Sequence, residues 1–224
     1  MEDYTAEMIK DMAFSFCPQC GTAIIPNHKG RPRKFCSPEC RSRWNNTHPK
    51  PENWKTVQKA MVKPVIIETQ RFEDFRGWLS VPVDRSINFH VVQINQGYSK
   101  KAFTLRGLHF QEGEHAQAKL VSCLQGSIFN VAVDLRPGET FGHAYSAVLS
   151  FENRKQMYIP RGFAHGYLTL EDDTLMQWCV DNDFCSEAAK AVRYDSDFVW
   201  EGESWPEAEY IISGKDGNAV KLEL

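Results

Sequence analysis

From Val65 onward the chain is written as short runs of β-favouring residues, each closed by a turn signal, and this rhythm limits the fold more than any other feature. Val65-Ile66-Ile67-Glu68, Trp78 to Val81, His90 to Asn95, Ala118 to Leu124, Ser127 to Leu135, Ala144 to Phe151, Gln156 to Ile159, Gly166 to Leu170 and Leu175 to Val180 read as strands. Arg136-Pro137-Gly138 and Glu171-Asp172-Asp173 are turns between them. Many short strands at this spacing predict a sandwich or barrel, and their paired rhythm suits a double-sheet jelly roll. No Gly-rich nucleotide loop and no internal repeat interrupts the pattern.

The first third has another texture. Cys17-Pro18-Gln19-Cys20 and Cys36-Ser37-Pro38-Glu39-Cys40 are two pairs of closely spaced thiols. They suit one tetrahedral Zn²⁺ held at about 2.3 Å from each sulfur. A segment this small and polar needs such a staple to fold. The first pair is expected on a tight knuckle, and the second should open a helix capped by Ser37, with Arg41, Arg43 and Trp44 on its body. Residues 1 to about 13 read as a short helix. The chain thus divides into a zinc-binding module over residues 1–48, a linker over 49–63, and a β domain over 64–224. Lys29, Arg31, Arg33, Lys34, Arg41 and Arg43 make the module locally basic. A nucleic-acid contact is one explanation, but no aromatic residues interleave the charge as stacking on bases would need. Offsetting four thiolates is the favoured one. Cys123, Cys179 and Cys185 sit in apolar contexts and read as core or subsurface residues.

Of 224 residues, no run is apolar enough to span a bilayer, and the first residues carry no signal-peptide pattern. A cytoplasmic protein with reduced thiols is the expectation. The formal net charge of −3 argues neither for nor against nucleic acid.

Chemistry concentrates in Arg106-Gly107-Leu108-His109-Phe110-Gln111, running on to Lys119, and in Arg161-Gly162-Phe163-Ala164-His165-Gly166-Tyr167. The first reads as two strands joined by a short loop that project His109 and Lys119 into a shared space. The glycines around His165 allow a close backbone approach. An imidazole can take and return protons near neutrality, and a lysine supplies the charge an enolate or phosphate oxygen needs. A metal-dependent alternative is weak, because Gln111 stands where a second histidine ligand would fall and His115 is too far along a loop.

Asp74-Phe75-Arg76-Gly77, Val92 to Asn95, Arg106 to Gln111, Ala116 to Val121, Val131 to Arg136, Ile159 to Tyr167 and Ile212-Ser213-Gly214-Lys215-Asp216 together resemble the dTDP-4-dehydrorhamnose 3,5-epimerase family, in that family's order. The resemblance covers the chain from Val65 to the C-terminus. It implies a cupin jelly roll (a double-stranded β-helix), a homodimer, a 4-keto nucleoside-diphosphate sugar as substrate and no cofactor for catalysis. It makes His109 the base that removes a proton from C3 or C5, with Asp216 ordering its tautomer. Lys119 becomes the stabiliser of the C4 oxyanion, with His165 close by. Arg106 becomes a pyrophosphate contact, and Arg76, Gln93 and Asn95 become nucleotide contacts, some of them made across the dimer interface.

The chain departs from the family pattern at four places. Trp178 stands at the catalytic tyrosine and becomes a substrate-binding residue, since an indole N–H does not titrate in water. Phe184 stands at a second tyrosine, Asn130 at an aspartate expected to partner His165, and Val81 at a glutamate near the nucleotide base. The base half of the site is intact and the acid half altered. The favoured reading is an epimerase, restricted in one form to one carbon, with water or Tyr167 returning the proton. A related 4-keto sugar isomerase and a non-catalytic nucleotide-sugar-binding cupin coupled to the zinc module are the alternatives.

Overall fold

The computed structural model describes residues 15–16, 23–24, 37–40, 42, 62–83, 87 and 89–223. The chain separates into two compact units, Met1–Trp54 and Lys55–Leu224.

In the first unit, β1 (Ser15–Phe16) and β2 (Ala23–Ile24) pair antiparallel, with Ser15 opposite Ile24. The strands flank the first cysteine pair. Residues 38–40 are helical, and the Cys40 N–H donates to Ser37 Oγ at 3.2 Å, which is the cap expected of Ser37. Cys17, Cys20, Cys36, Arg41, Arg43, Trp44 and the helix expected over residues 1–13 lie outside the described residues. Among the described residues no cluster of three metal-ligating side chains occurs.

The second unit is built from β3 (Val65–Glu68), β4 (Arg71–Asp74), β5 (Gly77–Ser80), β6 (Gln93–Ser99), β7 (Thr104–Gln111), β8 (Lys119–Gln125), β9 (Ser127–Asp134) and β10 (His143–Ser150). There follow β11 (Lys155–Ile159), β12 (Phe163–Thr169), β13 (Thr174–Val180), β14 (Ala189–Ala191), β15 (Val199–Trp200) and β16 (Ile211–Ile212). One sheet runs β14-β7-β12-β9-β10-β15, with β16 added to β7; the other runs β3-β11-β8-β13-β6. The connection from β7 to β8 crosses from one sheet to the other, so His109 and Lys119 meet across the sandwich and not within a hairpin.

Alternation along the strands builds the core between the sheets. Val121 and Cys123 of β8 and Met176 of β13 meet Ile128, Ala132, Phe163 and Tyr167 of the facing sheet. Every residue of β9 and β12 is buried, on both faces. The reason is a second apolar layer, in which Tyr194, Phe198, Trp200, Trp205 and Tyr210 cover Leu105, Leu108, Phe129 and Leu168 on the outer side. A strand covered on both faces loses the in–out alternation. That is why Ser127 to Leu135 shows no in–out alternation in the sequence, with apolar residues on both faces and only Ser127, Asn130 and Asp134 polar.

The strand expected over residues 90–95 begins and ends later, at Gln93 and Ser99. It continues through Gly97 because that residue faces the core, where a Cβ would lie 3.2 Å from the Tyr167 hydroxyl and 3.3 Å from the Trp178 ring. β4 and β5 form a separate hairpin whose Phe72, Phe75, Trp78 and Leu79 are exposed, Phe75 to 97%.

Candidate active site

A cavity of about 620 Å³ opens between the two sheets. The larger sheet contributes Arg106, His109, His165 and Tyr167, and the smaller one Gln93, Asn95, Lys119, Met176 and Trp178. Asp216 and Lys215 reach it from the segment after β16.

The placing of Arg106 and His109 follows from a local irregularity. Residues three apart on a regular strand point to opposite faces. Here His165 pairs with His109 but Tyr167 pairs with Arg106, so β7 carries one extra residue against β12. This is a bulge, and Gly107 within it has φ +117°. A Cβ on Gly107 would sit 2.6 Å from the Gly166 Cα, so the two strands meet this closely only through glycine. The bulge turns both Arg106 and His109 into the cavity and sends Leu105 and Leu108 together to the outer layer.

Asp216 ties this irregularity to the chemistry. It is buried, and its backbone N–H is held by the Ser213 hydroxyl at the start of a short helix, Gly214–Gly217. Its Oδ2 accepts from the Gly107 N–H at 3.1 Å, and its Oδ1 accepts from His109 Nε2–H at 2.8 Å. The carboxylate thereby anchors the bulge and selects the His109 tautomer, leaving the lone pair on Nδ1.

His165 is arranged differently. Its Nε2–H donates to Asn130 Oδ1 at 2.8 Å, while Asn130 Nδ2 donates to Met157 Sδ at 3.2 Å. An amide oxygen accepts a proton's hydrogen bond without offering a compensating charge. Burial first, then the nearby Lys119 and His109, push the His165 pKa well below its ordinary value, so this ring is neutral.

Lys119 is buried, and its Nζ donates to the His109 carbonyl at 3.1 Å. Burial lowers its pKa to about 8. Arg106 donates through Nε to Ser99 Oγ and through Nη2 to the Tyr98 carbonyl, both at 3.4 Å. Gln93 Nε2 donates to Asn95 Oδ1, which orders two amides on the cavity floor. Trp178 lines the cavity beside Gly97.

The arrangement can remove a proton and hold the resulting charge: an imidazole with a fixed free nitrogen stands beside a buried ammonium. Taken together, the residues expected from the sequence converge, with one exception. Arg76 lies at the tip of the β4–β5 hairpin, 76% exposed and paired to Asp74, and does not line the cavity. Phe184 lines the rim, and Val81 lies exposed outside it. Lys190 and Lys215 also line the cavity and were not singled out by the sequence. Lys215 adjoins Asp216 in the motif Ile212-Ser213-Gly214-Lys215-Asp216, whereas Lys190 sits in Ala-Lys-Ala, which carries no signal.

Residues 58–223 match the family described as dTDP-4-dehydrorhamnose 3,5-epimerase. The chain belongs to that family. The epimerase of Sinorhizobium fredii is 39% identical to it over 178 residues, covering 75% of this chain and 89% of the relative. The crystal structure of the Elizabethkingia anophelis epimerase, 40% identical, superposes with a TM-score of 0.65 over 72% of this chain and 92% of its own. The Legionella pneumophila enzyme, solved in complex with dTDP-4-keto-L-rhamnose, is 32% identical with a TM-score of 0.62, covering 70% and 87%. This epimerase-family chain is therefore mainly β with a fold shared by solved epimerases. Among its described residues no helix is long and apolar enough to cross a membrane.

Proposed function

We propose that the protein epimerises a 4-keto nucleoside-diphosphate sugar at C3, C5 or both through an enolate. The observation that carries this reading is the His109–Asp216 hydrogen bond beside Lys119 in the cavity of an epimerase-family fold. The C4 ketone acidifies the neighbouring C–H bonds. His109 Nδ1 takes a proton, Asp216 steadies the imidazolium that forms, and Lys119 balances the charge growing on the C4 oxygen. The carbon is then protonated on its other face. Bonds to hydrogen are exchanged and no electrons are lost, so the step is redox-neutral. Arg106 is the pyrophosphate contact, Gln93 and Asn95 meet the nucleotide, and Trp178 packs against the sugar. His165 stays neutral and close to the enolate.

Solvent exchange tests this. In D₂O, the C3/C5 epimer of dTDP-4-keto-L-rhamnose, whose hydrogens lie on the face that His109 serves, should acquire deuterium at C3 or C5, and His109→Ala should lower that rate by about 10²–10⁴-fold. A wild-type protein that binds the sugar nucleotide but exchanges neither hydrogen would overturn the reading in favour of a binding module.

The assembly and the metal belong to the same proposal. The exposed aromatic hairpin that carries Arg76 suits a homodimer in which Arg76 reaches the partner's nucleotide site. Four thiols at Cys17, Cys20, Cys36 and Cys40 suit a structural Zn²⁺ by the softness and number of their donors. The Ser37 cap and the strands bracketing residues 17–22 agree with such a module. We place residues 1–48 in it, 49–63 in a linker, and the protein in the cytoplasm. Native mass spectrometry should give a dimer with about one zinc per chain. A metal-free monomer under reducing conditions would remove both statements.

A further inference from the structure

Inversion needs a proton donor on the face of the enolate that His109 does not serve, and the cavity narrows the choice. A donor must carry a proton that it can lose. The Trp178 indole and the Arg106 guanidinium do not give theirs up in this role. His165 is already a neutral imidazole tied to Asn130, and Lys119 hydrogen-bonds the carbonyl of His109 itself, on the side of the base. Lys190 and Lys215 line the cavity from elements that adjoin β7 itself, again on the side of the base. Tyr167 is acidic enough and differently placed. Tyr167 starts from the same sheet as His109, but its ring spans the sandwich and its hydroxyl ends against Gly97 of the opposite sheet. A Cβ at Gly97 would meet that hydroxyl at 3.2 Å and the Trp178 ring at 3.3 Å, so phenol and indole share one spot on the far wall. The absence of a side chain at Gly97 is what leaves room for both.

We propose that the Tyr167 hydroxyl delivers the proton that inverts the carbon, from the wall of the cavity opposite His109, with Ser99 and Arg106 positioning it. The inference rests on the epimerase reading above. The balance is simple. His109 accepts the proton as the C–H bond breaks, and the enolate pair forms a new C–H bond with the proton of Tyr167. The phenolate and the imidazolium are then reset by water entering the open cavity. Ser99 Oγ accepts from Arg106 Nε at 3.4 Å, and Arg106 lines the same cavity as Tyr167, which brings a positive charge toward the transient phenolate. Burial is the larger influence and raises the phenol's pKa, while Arg106 opposes it, so the group is protonated at neutral pH, as a donor must be.

Tyr167→Phe removes one oxygen atom and keeps the ring packed in the core. With the C3/C5 epimer of dTDP-4-keto-L-rhamnose, whose hydrogens lie on the face that His109 serves, exchange and inversion in D₂O can be followed separately by NMR. Exchange through His109 should persist in this variant, while inversion falls by about 10²–10⁴-fold. Adding Trp178→Tyr to Tyr167→Phe should restore inversion by at least about tenfold, because a phenol from β13 reaches the same spot. A ratio of inversion to exchange that matches wild type overturns the proposal. So does a loss of both rates in equal proportion, which would mark Tyr167 as structural. If wild type exchanges and Tyr167→Phe inverts normally, this inference alone fails. If wild type does not exchange at all, the epimerase reading falls and takes the inference with it.

Discussion

Two imidazoles sit on adjacent strands of one sheet, His109 opposite His165, and the side chains they hydrogen-bond differ by one oxygen for one nitrogen. His109 is half exposed and donates to a buried carboxylate; His165 is buried and donates to an amide. Asp216 offers a full negative charge to a proton arriving on His109, whereas Asn130 offers only a dipole. Burial beside Lys119 then makes a charge on His165 costlier still. The pair shows that a histidine becomes a base through its partner and its access to the cavity, and that a closely similar ring without these stays a neutral wall.

The strongest way to break this contrast is to make the two partners alike. Asp216→Asn keeps the shape but lets the amide present N–H to His109, which favours the wrong tautomer. By analogy with other histidine–aspartate pairs, exchange and turnover should fall by up to about 10⁴-fold. Because Asp216 acts through His109, the pH profile of the residual rate should change shape, which simple loosening of the Gly107 bulge would not cause. Rates within about threefold of wild type would remove Asp216 from the mechanism.

A smaller effect is expected at the buried ammonium of Lys119. Lys119→Met should lower turnover by about 10²–10³-fold, as loss of one oxyanion-stabilising donor does elsewhere. In wild type, turnover should decline as the pH rises through about 8, where Lys119 loses its charge. The same shift has a stability consequence. Between about 8 and the ordinary lysine value of 10.5 the unfolded chain binds the extra proton, so stability should rise with pH across that window. Lys119→Met should remove that slope and raise the unfolding midpoint near neutral pH. A flat stability profile in wild type would contradict the burial of a charged Lys119.

The smallest effect sharpens the comparison from the other side. Asn130→Asp gives His165 the carboxylate that His109 already has, and NMR titration should show its pKa raised by about 1–3 units. In wild type the depressed value makes stability complete above the unfolded histidine value near 6.5 and lost as the pH falls below it. The variant should lose that acid-side sensitivity. An unchanged His165 titration would mean that burial alone, and not the amide, sets its state.

Much of the scaffold was legible before any coordinates. The runs from Val65 to Val180 mark most of the strands of both large sheets, and their turn signals imply a sandwich, because period-two burial is a local property of the chain. The same holds for Ser37, whose capping bond spans three residues. β14, β15 and β16 escaped notice because each is only two or three residues long and pairs with residues far away in sequence.

The sequence by itself determined the kinds of chemistry available: a histidine, a lysine and an aspartate of known family motifs, and an indole in place of a phenol. It also determined that Asn130, and not a carboxylate, would face His165. Only the tertiary structure decided which groups share a cavity. Simple alternation puts Arg106 and His109 on opposite faces, and the bulge at Gly107, held by Asp216 from far along the chain, brings them to the same one. Likewise nothing local to Tyr167 says that its hydroxyl ends beside Gly97 and Trp178. That is set by the spacing of two packed sheets, a distance that no single strand encodes.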